Sequence, residues 1–421
     1  MHHPEVNAKS VIRQTAHAAR HATAVGLAAE LQASRADTLA AFAAIERSLE
    51  DRPVPQRATL NPPLWELGHI GWFQEFWIGR NPERRLGACA DPEAPRRDGV
   101  RTGADALYDS GRVAHASRWS LALPDAAGTR ADLAAQLDAT LSLLGEAAGD
   151  DASLYFFRLA LLHEDMHHEA AQYMAHSLGL PRDERRWRAQ PLADACTQIA
   201  LEAGPRRLGS GSEGFAFDNE QGEHTVTLPA TEIDSRVLRW AEYLPFVEAG
   251  GHAQPGWWSP AGRAWLAAQR PVAPRYLRRD DGAWQQSNGG HWRALDLALP
   301  ACHLTFFEAE AWCRWAGRRL PTEAQWERAA LERPEAFAWG EVWEWTASEF
   351  TPYPGFVAHP YRDYSAPWFG TRPVLRGASF MTQPRLRHPR YRNFFMADRN
   401  DVAAGFRTCR LSVAQASSAL R

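Results

Sequence analysis

The stretch Leu162-His163-Glu164-Asp165-Met166-His167-His168-Glu169-Ala170 lies inside a run, from about Leu154 to Leu178, that holds neither Gly nor Pro. Such a run predicts one uninterrupted helix. At about 3.6 residues per turn, His163 and His167 project from one face a turn apart, where two imidazoles can share a metal ion. Both belong to the apolar stripe Phe156, Leu159, His163, His167, Ala170, Met174, whose steps of three and four mark a face turned toward a core. A single histidine there reads as a hydrogen-bonded core residue. A pair points to a metal, because desolvation disfavours imidazolium and leaves neutral nitrogens to act as ligands.

Working outward, the flanking pattern is that of a helical bundle. From Ala16 to about Leu49 the chain is rich in Ala, Leu, Arg and Glu with helical periodicity. It reads as one long helix, a break near Ser34 being the alternative, and Pro53 and Pro55 follow its end. Pro63 to Gly79 reads as a second helix, with Asn61 as its cap. Its stripe Trp65, His69, Trp72, Phe76 steps by four, three and four, so His69 also faces inward as a third candidate ligand. Taken alone, His69 would be a buried histidine bonded to a carbonyl. Residues 81 to 128 are irregular and read as a long connection over one end of a bundle. Arg130 to Ala148 is the third helix, and the opening stretch lies in the fourth. Four helices with a long crossover and inward histidines on two of them are a common way to build a metal site.

With 421 residues, two domains are expected. The content of 45% hydrophobic and 23% charged residues is that of a soluble globular chain. A net charge of −3 and a pI near 6.6 give no electrostatic reason to expect nucleic acid or an anionic membrane surface as partner. No stretch reaches the roughly 18 apolar residues of a membrane span, and the start, His2-His3-Pro4, has no apolar leader. Cys89, Cys196, Cys302, Cys313 and Cys409 are an odd set without a C-x-x-C pair, which argues against a zinc ribbon or a disulfide scaffold and for a cytoplasmic setting. After Gly179-Leu180-Pro181 the character changes. Short alternating segments such as His224-Thr225-Val226-Thr227-Leu228, the turn at Gly209-Ser210-Gly211, and short helices near Trp240 to Val247 and Thr305 to Ala316 indicate a second, strand-bearing domain. Most of the 18 Trp lie there, as suits a loop-heavy domain. The boundary falls within residues 181 to 200, giving domains 1–185 and 186–421 and an α+β class overall.

Three neutral imidazoles without a carboxylate would leave about half of an octahedron open. Zinc with a bound water is one outcome, iron(II) with open positions for substrate and dioxygen the other, and spacing alone does not choose. Glu164 and Glu169 are candidates for orienting the imidazoles, although a solvated helix charge is the plainer expectation for Glu164.

The segment from His303 to Glu327, with Ala311-Trp312-Cys313-Arg314-Trp315-Ala316-Gly317-Arg318-Arg319-Leu320-Pro321-Thr322 at its centre, closely resembles the signature of the formylglycine-generating-enzyme fold, a C-type-lectin-like domain. Val342-Trp343-Glu344-Trp345-Thr346, Val374-Leu375-Arg376-Gly377-Ala378-Ser379 and Gly405-Phe406-Arg407 resemble its later landmarks. Physically, the Arg-Gly and Gly-Phe-Arg segments fit tight turns and buried arginine pairs. A DinB-like four-helix bundle with His-x3-His-x-Glu and an upstream His, fused to this domain, resembles the ergothioneine-type sulfoxide synthases over nearly the whole chain. The resemblance implies an enzyme with an Fe(II) cofactor that uses O2 to join a thiol sulfur to the imidazole C2 of hercynine, with His69, His163 and His167 as ligands. It implies Tyr361, in Tyr361-Arg362-Asp363-Tyr364, as the tyrosine that supplies a proton or hydrogen bond near the metal, with Tyr364 beside it. In Tyr391-Arg392-Asn393-Phe394-Phe395-Met396-Ala397-Asp398-Arg399 it implies Asn393 as a contact to hercynine, with Phe394, Phe395, Arg399 and Met166 completing the substrate-binding set.

The chain also departs from that pattern. Phe395 stands where members using γ-glutamylcysteine carry an Asp for the donor's ammonium group, and Met166 where many carry Gln. No arginine-rich clamp is evident between Leu107 and Trp119 beyond Arg112 and Arg118. Losing the charge partner of an ammonium group costs about 2–4 kcal/mol in a dry site, so a less charged donor is expected. An aromatic at Phe394 or Phe395 suits a sugar ring, and the related selenoneine synthase branch uses a selenosugar. The alternative is a sulfoxide synthase acting on cysteine, γ-glutamylcysteine or another small thiol. Two unlike classes stand beside these: a sugar-binding module beside a metal-stabilised bundle, and a zinc-dependent thiol transferase. Formylglycine generation itself is disfavoured, because Cys302, Cys313 and Cys409 do not form a closely spaced pair.

Overall fold

The structure, a computed structural model, describes residues 8–50, 52–181 and 185–411; the start His2-His3-Pro4 and residues 182–184 of the expected boundary lie outside the described residues. The first helical run divides at Ala22 and Thr23 into α1 (Ala8–His21) and α2 (Ala24–Leu49), and not at Ser34. A serine hydroxyl weakens a helix when it competes for the backbone. Ser34 is buried and its hydroxyl donates to Asp165 at 2.7 Å, so the helix runs through it. Helix α3 (Pro63–Gln74) starts on a proline, but Asn61 does not cap it. The Asn61 amide donates instead to the Glu66 carboxylate at 2.5 Å. Beyond Gln74 the helix widens into one π turn, Glu75–Gly79, and the long connection carries the short α4 (Ala104–Tyr108).

Helix α5 (Ala126–Gly145) begins at Ala126 and not Arg130, because Asp125 accepts from the Gly128 amide at 2.7 Å. Helix α6 (Asp151–Ser177) carries the opening stretch and is capped by Asp150, which accepts from the Ser153 amide at 2.8 Å. Helices α2, α3, α5 and α6 form the four-helix bundle. Gly68 permits a close approach to α3 that the site uses: a side chain there would collide with the Tyr108 ring.

The second half opens with strands β1 (Gln198–Leu201), β2 (Gly204–Leu208), β3 (His224–Leu228) and β4 (Thr231–Asp234). Then come α7 (Trp240–Glu248), α8 (Pro260–Gln269), β5 (Leu277–Asp280), β6 (Ala283–Asn288), β7 (His291–Ala294), α9 (Phe306–Trp315), β8 (Arg318–Arg319) and α10 (Glu323–Glu332). The chain continues with β9 (Trp343–Glu349), β10 (Pro373–Gly377), β11 (Arg392–Phe394), β12 (Ala404–Gly405) and β13 (Cys409–Arg410). The sheet that positions the site has the order β11-β10-β9-β12, with Val374 opposite Phe394 and Leu375 opposite Asn393. A second sheet runs β1-β4-β13-β8, while β2-β3 and β5-β6-β7 form small antiparallel units. Arg376 and Arg407 are buried on Glu327 and Glu344, both at 2.5 Å, as the Arg-Gly and Gly-Phe-Arg segments suggest.

One hydrophobic cluster runs through both halves, from Leu27 and Trp65 to Trp345 and Phe406. Charges are buried across the junction only with partners: Arg20 on Glu220 at 2.5 Å and Arg385 on Asp165 at 2.7 Å. Glu164, expected in solvent, is 2% exposed, because α2 covers it and Arg35 pairs with it at 2.8 Å.

Candidate metal centre and its cavity

His69 on α3 and His163 and His167 on α6 come together, with one ring nitrogen from each lying within 4.8 Å of the others. Their surroundings fix how the nitrogens are used. The Tyr108 carbonyl can only accept, so at 2.8 Å from His69 Nδ1 it holds the proton there and leaves Nε2 as a free lone pair. The Glu66 carboxylate does the same to His167 Nδ1 at 2.5 Å. His163 is stacked on Phe73 at 3.5 Å, and its buried Nδ1 has no partner among the described residues. Burial lowers the pKa of His69 to about 3, with the nearby His167 adding to the effect, and burial likewise lowers that of His163. Such neutral, convergent, carboxylate-free nitrogens fit a borderline divalent metal such as iron(II) or zinc.

Beside this centre lies a cavity of about 660 Å³. Helix α6 contributes Met166, His167, Glu169, Ala170 and Tyr173, and the second half contributes Trp343, Tyr361, Asp363, Tyr364, Trp368, Arg372, Tyr391, Asn393, Phe394 and Phe395. His167 and six of the expected site residues, Tyr361, Tyr364, Met166, Asn393, Phe394 and Phe395, therefore line one space, with the rings of His69 and His163 centred 4.9 and 4.5 Å from that of His167. Arg399 is not on its lining: it pairs with Asp401 at 2.6 Å and lies 4.9 Å over the Phe395 ring. Arg112 is exposed and paired with Asp109, whereas Arg118 reaches the cavity, over the Trp65 face at 3.8 Å and donating to Asn61 at 2.9 Å.

Tyr361 packs edge-on against Phe73 at 4.9 Å, and its ring centre is 6.0 Å from that of His163. Burial raises its pKa above the ordinary phenol value, so it stays a protonated donor at neutral pH. Tyr364 donates to the Tyr391 hydroxyl at 3.2 Å, and Tyr391 to the Met166 sulfur at 3.3 Å, which ties the loop wall to α6. One carboxylate holds both ends of this tyrosine loop. Asp218 accepts from the His359 amide at 3.4 Å and from the Ser365 hydroxyl, while the Tyr155 hydroxyl meets the His359 ring nitrogen at 2.9 Å.

Asn393 accepts from the Phe394 amide at 2.8 Å, and its own NH2 group has no partner among the described residues. Phe394 stacks on Phe350 at 4.1 Å. Glu169 orients no imidazole: it accepts from Trp343 and Ser379 at 2.7 Å and from Thr382 at 2.8 Å, joining the two halves below the cavity. The imidazole acceptor is Glu66, which sequence reasoning missed although it sits three residues before His69. Trp368 and Arg372 were also missed, and no short-range pattern announces them.

Residues 30–171 match the DinB superfamily, and residues 185–341 and 336–411 match the sulfatase-modifying factor enzyme 1-like domain. A hercynine oxygenase of Mycolicibacterium smegmatis is 32% identical over 412 residues, covering 83% of this chain and 90% of the relative. One from Mycobacterium tuberculosis is 30% identical over 404 residues, with the same coverage of 83% and 90%. A formylglycine-generating enzyme of Streptomyces coelicolor is 27% identical but covers only 44% of this chain. The thiols here are ill suited to that last chemistry: Cys302, Cys313 and Cys409 are buried, and burial pushes Cys409 up to about 12 and Cys313 well above its usual range.

Proposed function

The chain belongs to the hercynine oxygenase family and is an oxidoreductase, and on that premise we propose that it joins the selenium of a selenosugar to the imidazole C2 of hercynine with iron(II) and O2. A C–H and an Se–H bond break, a C–Se bond forms, and the two oxygen atoms leave in a selenoxide and a water. The bundle, residues 1–185, would supply the metal ligands His69, His163 and His167, and residues 186–421 most of the facing wall. Iron(II) held there would supply redox chemistry with dioxygen. The Tyr361 hydroxyl is the proton donor, kept protonated by burial. The free NH2 group of Asn393 is suited to a carboxylate or imidazole of hercynine. Phe394, Phe395 and Trp368 offer faces on which a sugar ring stacks. No helix among the described residues is long and apolar enough to cross a membrane, and a cytoplasmic setting is part of the proposal.

The observation that carries the selenosugar reading is Phe395: an ammonium group at this position would meet an aromatic ring, backed by the Arg399 guanidinium, in place of a carboxylate side chain. A second reading, a sulfoxide synthase taking cysteine or γ-glutamylcysteine, is favoured by the guanidinium groups of Arg118 and Arg372 on the cavity lining. The test is oxygen uptake and product mass with iron(II), hercynine and either a selenosugar or γ-glutamylcysteine. Preferential C–Se product supports the first reading. Preference for the peptide establishes the second, and no turnover with any chalcogen donor sinks both.

A further inference from the structure

The fully buried arginines of this fold face carboxylates, as Arg20, Arg376, Arg392 and Arg407 do on Glu220, Glu327, Glu323 and Glu344. Arg372, on the cavity lining, has no salt bridge among the described residues. It is half-buried, its guanidinium lies over the Trp368 ring at 3.9 Å, and Phe394 is 5.9 Å away. Its Nε is buried without a hydrogen-bond partner. Asp363 shares the cavity lining but does not pair with it among the described residues. Burial and the like charge of Arg399 both work against the cation, yet a guanidinium does not give up its proton in a protein. Arg118, the other guanidinium on the lining, is already engaged by Asn61.

A charged, partly desolvated, unpaired group on a substrate cavity lacks the anion that would complete it. Its seat over Trp368 holds the guanidinium at the lining with N–H groups to spare, and a carboxylate can accept two parallel hydrogen bonds from such a group. We propose that Arg372 is the carboxylate anchor of this cavity, holding a carboxylate of a bound substrate beside Trp368. The proposal rests on the hercynine reading, and the carboxylate can come from hercynine itself or from a thiol donor.

Titration calorimetry of the anaerobic, iron-loaded protein distinguishes these sources, with hercynine against hercynine carboxamide and cysteine against cysteamine. Wild type is expected to prefer the carboxylate member of one pair by roughly 10- to 100-fold, charge-assisted bonds being of that strength. R372Q is expected to bind both members of that pair alike, and R372K to retain part of the preference, while thermal unfolding shows each variant to be folded. The pair in which the preference collapses identifies the source. If R372Q discriminates as wild type does, or wild type shows no preference in either pair, the anchor is overturned. If wild type binds neither hercynine nor its amide, the hercynine reading fails, and the cysteine pair still tests Arg372.

Discussion

The two walls of the cavity are built in opposite ways. On the helical wall, His69 and His167 each have a ring proton taken by a fixed acceptor, Tyr108 or Glu66, and His163 is clamped on Phe73. On the loop wall, the NH2 group of Asn393 and the guanidinium of Arg372 have no partner among the described residues, and aromatic faces supply the remaining surface. A metal needs its ligands oriented before it binds, so the helical wall leaves little to adjust. A substrate brings its own donors and acceptors, so the loop wall leaves Asn393 and Arg372 with N–H groups to spare among the described residues. On the proposed reading, the helical side holds the metal, and the loop side supplies Tyr361 and the choice of donor.

The substitution expected to break this division most severely is His163→Ala. It should abolish iron retention, measured by metal analysis after anaerobic purification, and lower turnover by at least about 10³-fold. Iron retained at wild-type level would remove His163 from the ligand set. Tyr361→Phe should leave the metal content intact and lower kcat by about 10²-fold or more, the range for a lost proton donor; an unchanged kcat would reduce Tyr361 to a packing residue. Phe395→Asp acts on the loop wall alone. Because Arg399 is already neutralised by Asp401, the new carboxylate stays available, and relative kcat/KM should swing toward ammonium-bearing thiols by roughly 30-fold. No swing would mean that donor choice is made elsewhere. Glu66→Gln is the mildest. It keeps the shape but weakens the acceptor behind His167, and should reduce iron affinity by about 10-fold in a chelator competition, with the donor preference unmoved. A change in donor preference there would show that the two walls are not separable.

Much of this was legible in the sequence, and the limits are physical. The bundle and the convergence of its three histidines follow from steps of three and four, a local periodicity that packing reinforces. The Trp-rich segment around Arg318-Arg319-Leu320-Pro321-Thr322 marked the second half by resemblance. What escaped depended on distant partners. Ser34 looked like a helix breaker until Asp165 received its hydroxyl, and Glu164 looked solvated until Arg35 reached it. Glu66 could have been found from its place three residues before His69, on the same face. Arg372 could not, since only the folded chain shows its guanidinium over Trp368, on the cavity, without a salt bridge among the described residues.

The Asp218 carboxylate that gathers His359 and Ser365 turns the tyrosine loop into a closed ring whose integrity can be read from outside the active site. Arg362 sits exposed in the middle of that ring. A protease must draw several residues into an extended strand before cutting, and a ring pinned at both ends resists this until it opens. Tryptic cleavage after Arg362 should therefore be slow in the wild type and fast in Asp218→Asn, even where overall melting barely changes. The cut would report how often the loop carrying Tyr361 swings away, without any substrate being present.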